Sequence, residues 1–296
     1  MARFVVLLAG IALSACHPGN EEAKRLTGSC ETGNIADCNK LAVKLQKGEY
    51  VLRDDGRAAS LFDRACGGGI GEGCASLGVV YQRGAGVRRD SVRAFNLLHE
   101  GCEKRAMEGC ARLGILYREG AGVTQNVARA SELFRRACDG GQMLGCASLG
   151  TQYAEGEAVA QDFTRAADLF KRACDSTTTV GCVGLGRLHA AGTGVSRNDS
   201  IAAALFKQAC EAQDLNGCFH HAAAFEAGLG VTQNFERAGN IYREACEDSH
   251  AESCARLAGL YDRGAGVMRD PQQAKSLRRR ACGLGYAATC EKKKSA

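Results

Sequence analysis

The chain has 296 residues, 45% of them apolar and 24% charged, the proportions of a folded protein rather than a disordered one. A formal net charge of +5 is a balance any folded protein shows and gives no sign of a nucleic-acid partner. Two prolines beside 38 glycines fit helical segments joined by many tight turns.

The N-terminus reads differently from the rest. In "MARFVVLLAGIALSAC" one basic residue, Arg3, precedes an uncharged apolar run from Phe4 to Ala12. That run is too short to span a bilayer and suits the apolar region of an export signal. The tetrapeptide Leu13-Ser14-Ala15-Cys16 resembles the lipobox of bacterial lipoproteins, in which the cysteine is acylated and becomes the new N-terminus. Residues 1–15 are therefore expected to be a lipoprotein signal peptide, Cys16 the lipid attachment site, and residues 16–23 a tether. Acyl chains would hold the protein to a membrane facing the periplasm or the cell surface, with no spanning helix. Export also removes cytosolic nucleic acid as a partner and brings the cysteines into an oxidising compartment.

Of the 17 cysteines, all but Cys16 fall into C-x7-C units that recur every 36 residues, starting at Cys30, Cys66, Cys102, Cys138, Cys174, Cys210, Cys246 and Cys282. Aligning the units on the second cysteine brings out Leu41, Leu77, Leu113, Leu149, Leu185 and Leu257 three residues on. Small residues such as Gly78, Gly114, Gly150 and Ala258 follow at four, and Tyr81, Tyr117, Tyr153, Phe225 and Tyr261 at seven. This i, i+3, i+4, i+7 pattern is one face of a helix. Recurrent glycine there predicts close approach of another backbone.

"GAGV" at Gly84, Gly120 and Gly264, with "GTGV" at Gly192 and "GLGV" at Gly228, then supplies a left-handed helix end and a turn. Asp90, Asn126, Asp162, Asn198, Asn234 and Asp270 follow as N-caps of a second helix. Its apolar face is Ala94, Leu97, Leu98 and Gly101 in one unit and Ala130, Leu133, Phe134 and Ala137 in the next. One such hairpin cannot bury its own apolar faces, so the hairpins must stack.

The pattern predicts an all-α fold: a right-handed α/α superhelical solenoid of 36-residue helix-turn-helix repeats over residues 24–290. Seven complete hairpins fall at 38–66, 74–102, 110–138, 146–174, 182–210, 218–246 and 254–282, followed by a stub and a basic tail at 291–296. The ends read as caps, with Leu45 and Tyr50 replacing the usual tyrosine and glycine, and Arg278 the usual phenylalanine or leucine.

Two cysteines eight apart in one helix would have Cα atoms about 12 Å apart, beyond disulfide reach, so a bridge needs the intervening turn. Cys146 could then join Cys138 across that turn or Cys174 at the same end of its own hairpin. The seven-residue spacing does not suit a zinc knuckle, and sixteen equivalent thiols do not single out a nucleophile.

The run C-A-x-L-G-x-x-Y-x-x-G…[DN]-x-x-x-A-x-x-L-F-x-x-A-C, nearly intact from Cys146 to Cys174, resembles the Sel1-like repeat, a relative of the tetratricopeptide repeat. The added cysteine pair is similar to the Helicobacter cysteine-rich protein branch. That similarity implies the local pairing: Cys30–Cys38, Cys66–Cys74, Cys102–Cys110, Cys138–Cys146, Cys174–Cys182, Cys210–Cys218, Cys246–Cys254 and Cys282–Cys290. The branch has been associated with penicillin binding and slow β-lactam hydrolysis, which makes a β-lactamase the alternative reading. The serine signature S-x-x-K is absent, Ser76, Ser131, Ser148 and Ser276 being followed three on by Val79, Phe134, Thr151 and Arg279. No K-T-G or H-x-H-x-D motif occurs either, and no haem or copper motif.

His189 and His221 stand at core columns and are expected to pack inside, with the neighbouring His220 facing solvent. Two, five and nine residues after the second cysteine, the first helices carry varied residues that are expected to line the concave side. The candidate partner groove is Arg112, Ile115, Glu119, Ser148, Thr151, Glu155, Arg187, Arg256 and Arg263. The reading is a monomeric, non-catalytic, lipid-anchored scaffold of the bacterial cell envelope, without cofactor or metal, that binds an envelope protein or cell-wall peptide.

Overall fold

The computed structural model describes residues 18–176 and 178–290; the expected signal peptide, the acylated Cys16 and the basic tail lie outside the described residues. Among these, fifteen α-helices follow one another without a strand. A leading helix, α1 (Pro18–Glu31), precedes seven hairpins: α2 (Ile35–Lys47) with α3 (Asp55–Gly67), α4 (Gly71–Arg83) with α5 (Ser91–Glu103), and α6 (Met107–Glu119) with α7 (Val127–Asp139). There follow α8 (Met143–Glu155) and α9 (Phe163–Asp175), α10 (Thr179–Ala191) and α11 (Asp199–Glu211), α12 (Leu215–Ala227) and α13 (Phe235–Glu247), and α14 (Ala251–Arg263) and α15 (Pro271–Gly283). The chain divides into two compact units at Ser148, within α8.

The helix ends obey the expected chemistry. The side chain of Asn126 accepts a hydrogen bond from the Arg129 N–H, as Asp90 does from Arg93 and Asn234 from Arg237. First helices close on left-handed glycines such as Gly84 at φ 75° and Gly228 at φ 69°. The Asn126 N–H also donates to the Tyr117 carbonyl at 2.8 Å, tying the start of α7 to the end of α6.

Within each unit the apolar stripes of neighbouring helices meet in buried clusters. Leu26, Leu41, Phe62, Leu77 and Val80 pack together in the first unit, and Tyr242, Leu257, Leu260 and Leu277 in the second. Each fully buried ring or branched chain contributes roughly 1.5–3 kcal/mol. The column of small residues has a different cause from the one its spacing suggests. A Cβ on Gly114 would meet Phe134 Cε1 at 2.6 Å, so the glycine yields to an aromatic ring of the partner helix rather than to a backbone.

All eight disulfides follow the local pairing, and the alternative within a hairpin does not occur. Their Cα atoms lie between 4.3 and 4.9 Å apart. Seven of them join the last turn of α1 or of a second helix to the first turn of the next first helix, and the eighth ties a short 3-10 turn, Ala287–Thr289, back to α15. The close backbone approach sits here. A Cβ on Gly145, just before Cys146, would stand 2.9 Å from the Cys138 nitrogen and from the Phe134 carbonyl oxygen.

The expected tether at 16–23 is shortened, because α1 already starts at Pro18 and Ala23 is only 3% exposed against the first hairpin. At the far end Arg278 is held by the Asp262 carboxylate, a polar closure of the stack.

Where the second glycine of the turn motif is replaced, strain appears. Gly230 takes φ 71°, and a Cβ there would collide with the Asp199 carbonyl of the preceding second helix. Ala158 fills the equivalent turn position at φ 61°. Ala158→Gly should raise stability in urea unfolding by about 1 kcal/mol by removing left-handed strain. Gly230→Ala should lower it by more than about 1 kcal/mol, since a backbone collision adds to the strain. Equal midpoints for both variants and the parent would contradict this account of the turn.

Candidate binding site

The groove positions are distributed unevenly. In the first unit Arg112 is drawn into an ion pair with Glu108 at 2.9 Å, Ile115 is half-buried, and Glu119 is exposed beside Arg118. Ser148, expected on the groove, is only 6% exposed; it lies too deep in α8 to offer a partner a surface.

In the second unit the expected residues converge. Thr151, Glu155 and Arg187 line a depression of about 420 Å³, with Val183 and His220. Arg187, His220 and Arg256 also line a larger cavity of about 680 Å³ between α10, α11, α12 and α13. Its floor is Ala202, Ala203, Phe206 and Ala224, all at most 6% exposed. Phe235 and the exposed Ala227 and Leu229 complete the wall. The first helices α10 and α12 carry Ala190, Ala191, Ala224 and Ala227 where other repeats carry larger side chains such as Gln82, Arg83, Leu116 and Glu119, which leaves this space open.

The sequence misplaced His220. Rather than facing solvent, its ring stacks on Phe206 at 4.8 Å and meets Phe219 edge-on at 5.2 Å. Burial, then the nearby Arg187 charge, pushes its pKa down to about 4, so the ring is neutral near pH 7. His221 does pack inward, against Phe225, while the ring of His189 bonds the Ser196 carbonyl through Nδ1.

Below the rim runs a polar chain that sequence reasoning missed. The hydroxyl of the fully buried Tyr242 donates to Glu226 Oε2 at 3.0 Å, and Arg263 Nη2 donates to Glu226 Oε1 at 2.8 Å. Burial and then the Glu226 charge push the phenol pKa upward, so Tyr242 stays a proton donor. Asp199 is likewise engaged by Arg197 at 3.1 Å. Neither Arg187 nor Arg256 forms an ion pair with an acid among the described residues; Arg256 overhangs the Phe219 ring at 6.0 Å. The paired alanines of "HAAG" and "HHAAAFEAG" in successive repeats were the available signal for this gap.

A cluster with metal-like spacing forms from Cys66, Cys74 and Glu100. Both sulfurs are locked in a bridge and Glu100 accepts from Lys104 Nζ at 2.7 Å, so no thiolate is offered to an ion. Among the described residues no helix is long and apolar enough to cross a membrane.

The depressed pKa has a measurable consequence. Because His220 titrates lower when folded than the ordinary 6.5, its neutral form stabilises the fold. That contribution is complete above pH 6.5 and fades as the pH falls towards 4, and burial shifts His221 and His250 in the same direction. Urea midpoints should therefore decline over this interval, and the decline should be shallower in His220→Asn. An identical pH profile in the variant would contradict the assignment.

The Sel1 repeat model matches residues 36–69, 71–105, 108–142, 144–177, 179–214, 216–250 and 251–286. A protective antigen of uropathogenic Escherichia coli with the same fold is 26% identical, with a TM-score of 0.61 over 90% of this chain. The chain spans only 57% of that protein. A Sel1 repeat protein from Oxalobacter formigenes is similar at 18% identity and a TM-score of 0.68, covering 88% of this chain and 98% of the other. The Helicobacter pylori cysteine-rich protein B aligns at 26% identity with a TM-score of 0.36, over 46% of this chain and 97% of its own. No curated protein matches the sequence. With seven matched repeats and all-helical hairpins in register with them, the chain belongs to the Sel1 repeat family.

Proposed function

We propose that this protein is a lipid-anchored, non-catalytic scaffold of the bacterial cell envelope that binds an envelope protein or a cell-wall peptide through the first-helix face of its hairpins. One observation carries the reading: the varied positions of α10, α12 and α14 bring Arg187, His220 and Arg256 to the wall of a single apolar cavity. A concave apolar surface with a few placed polar groups is the usual form of a recognition site.

The eight disulfides support an oxidising, exported location. The lipobox-like Leu13-Ser14-Ala15-Cys16 supports attachment through Cys16, two residues ahead of α1. The similar E. coli protein is described as a protective antigen, which accords with exposure outside the cytoplasm.

Two experiments test this reading. Expressed in a bacterial host, the chain should partition into the detergent phase, and Cys16→Ser should move it to the aqueous phase; an unchanged distribution would remove the anchor. In a pull-down from envelope extract, the Arg187→Glu/Arg256→Glu chain should recover at least tenfold less of its main partner than the parent. Equal recovery would remove the groove.

A further inference from the structure

Charges around the larger cavity are not balanced within it. Asp199 is satisfied by Arg197, and Glu226 by Arg263 and Tyr242. Arg187 and Arg256 reach the same cavity without an ion pair to any acid among the described residues, although Glu155 and Asp214 line the adjoining depression with Arg187. The neutral His220 ring, flat against Phe206, adds an aromatic wall without a charge. The excess is two guanidiniums above a floor of Ala202, Ala203, Phe206 and Ala224.

An occupant that complements this site must carry a carboxylate next to a bulky apolar group. Guanidinium and carboxylate form charge-assisted, commonly bidentate hydrogen bonds, which are about twice as strong as neutral ones. The apolar neighbour gains by covering the alanine and phenylalanine floor, which the first and second helices leave open. At about 680 Å³ the cavity falls within the range that admits a short stretch of chain.

We propose that the cavity between α10, α11, α12 and α13 is a docking site for an acidic peptide, with a carboxylate held by Arg187 and Arg256 and an adjacent apolar side chain seated against Phe206. This rests on the reading of the chain as a peptide- or protein-binding scaffold and names the chemistry of that same site. The carboxylate can come from a glutamate or aspartate side chain or from a chain end, and the same two arginines recognise either. Because both arginines are exposed, added salt weakens the contact.

The test uses the full oxidised mature chain carrying Cys16→Ser and fluorescein-labelled pentapeptides, read by anisotropy. Ala-Ala-Glu-Phe-Ala amide should bind at least tenfold more tightly than Ala-Ala-Gln-Phe-Ala amide and than Ala-Ala-Glu-Ala-Ala amide. Ala-Ala-Ala-Ala-Phe with a free carboxylate shows whether a chain end serves as well as a side chain. Arg187→Gln/Arg256→Gln should cost at least tenfold in affinity, and Ala227→Phe, a substitution at an exposed wall position, should block the floor and lose binding while circular dichroism stays unchanged. The His220 imidazole signals should shift on addition of the glutamate peptide. Equal binding of the Glu and Gln peptides, insensitivity to both variants, binding of decanoate but of no peptide, or no binding at all would each overturn the proposal. If the pull-down captures an envelope protein independently of Arg187 and Arg256 while the peptides fail, the scaffold reading stands and this site falls.

Discussion

Between Cys138 and Cys146 the chain must leave one helix, reverse and begin another with the two backbones close enough for sulfurs to meet. Gly145 makes this possible, since any side chain there would press on the Cys138 nitrogen. The same small residue precedes the second cysteine at Gly73, Gly109, Gly181 and Gly217. With Cα atoms 4.5 Å apart, the bridge fixes where the next first helix starts. In the chain-entropy model a closed loop this short is worth roughly 2–3 kcal/mol. Its larger effect is on spacing: a hairpin clipped to its predecessor stacks in one register, and the faces that neither hairpin can bury alone become core.

The candidate site follows from that fixed spacing. Ala190, Ala191, Ala223 and Ala227 leave the space between hairpins open there, and bridges fix the starts of both first helices. At the same first-helix positions other repeats carry larger side chains, such as Gln82, Arg83, Ile115 and Glu119. The polar chain from Tyr242 through Glu226 to Arg263 then removes the acidic charge that would otherwise neutralise Arg187 and Arg256. An apolar floor and unpaired cations thus arise from a local change in side-chain size on an otherwise uniform frame.

Much of this was legible in the residues. The 36-residue step, the Asp90 and Asn126 caps and the glycine turns report local backbone chemistry, and that chemistry repeats. Other features depend on what a side chain meets across the stack. The spacing of Gly114 suggested a backbone neighbour, but the neighbour is the Phe134 ring. His220 looked like a solvent-facing residue because its column is polar elsewhere, as at Arg112 and Arg256, yet Phe206 from α11 supplies a face to stack on. Ser148 occupies the same column and is buried. Column position alone therefore places a residue on the first-helix face without saying whether that face is open there, which depends on the sizes of residues from the neighbouring helix.

The central claim is that each bridge sets the spacing of the two hairpins it joins. Native-state hydrogen exchange on Cys210→Ser/Cys218→Ser tests it most directly, since this bridge links α11 to α12, two of the helices that line the larger cavity. The account predicts that amide protection falls by at least tenfold in α11 and α12 while α2 to α5 keep theirs. Protection unchanged in α11 and α12, or lost evenly along the whole chain, would contradict it.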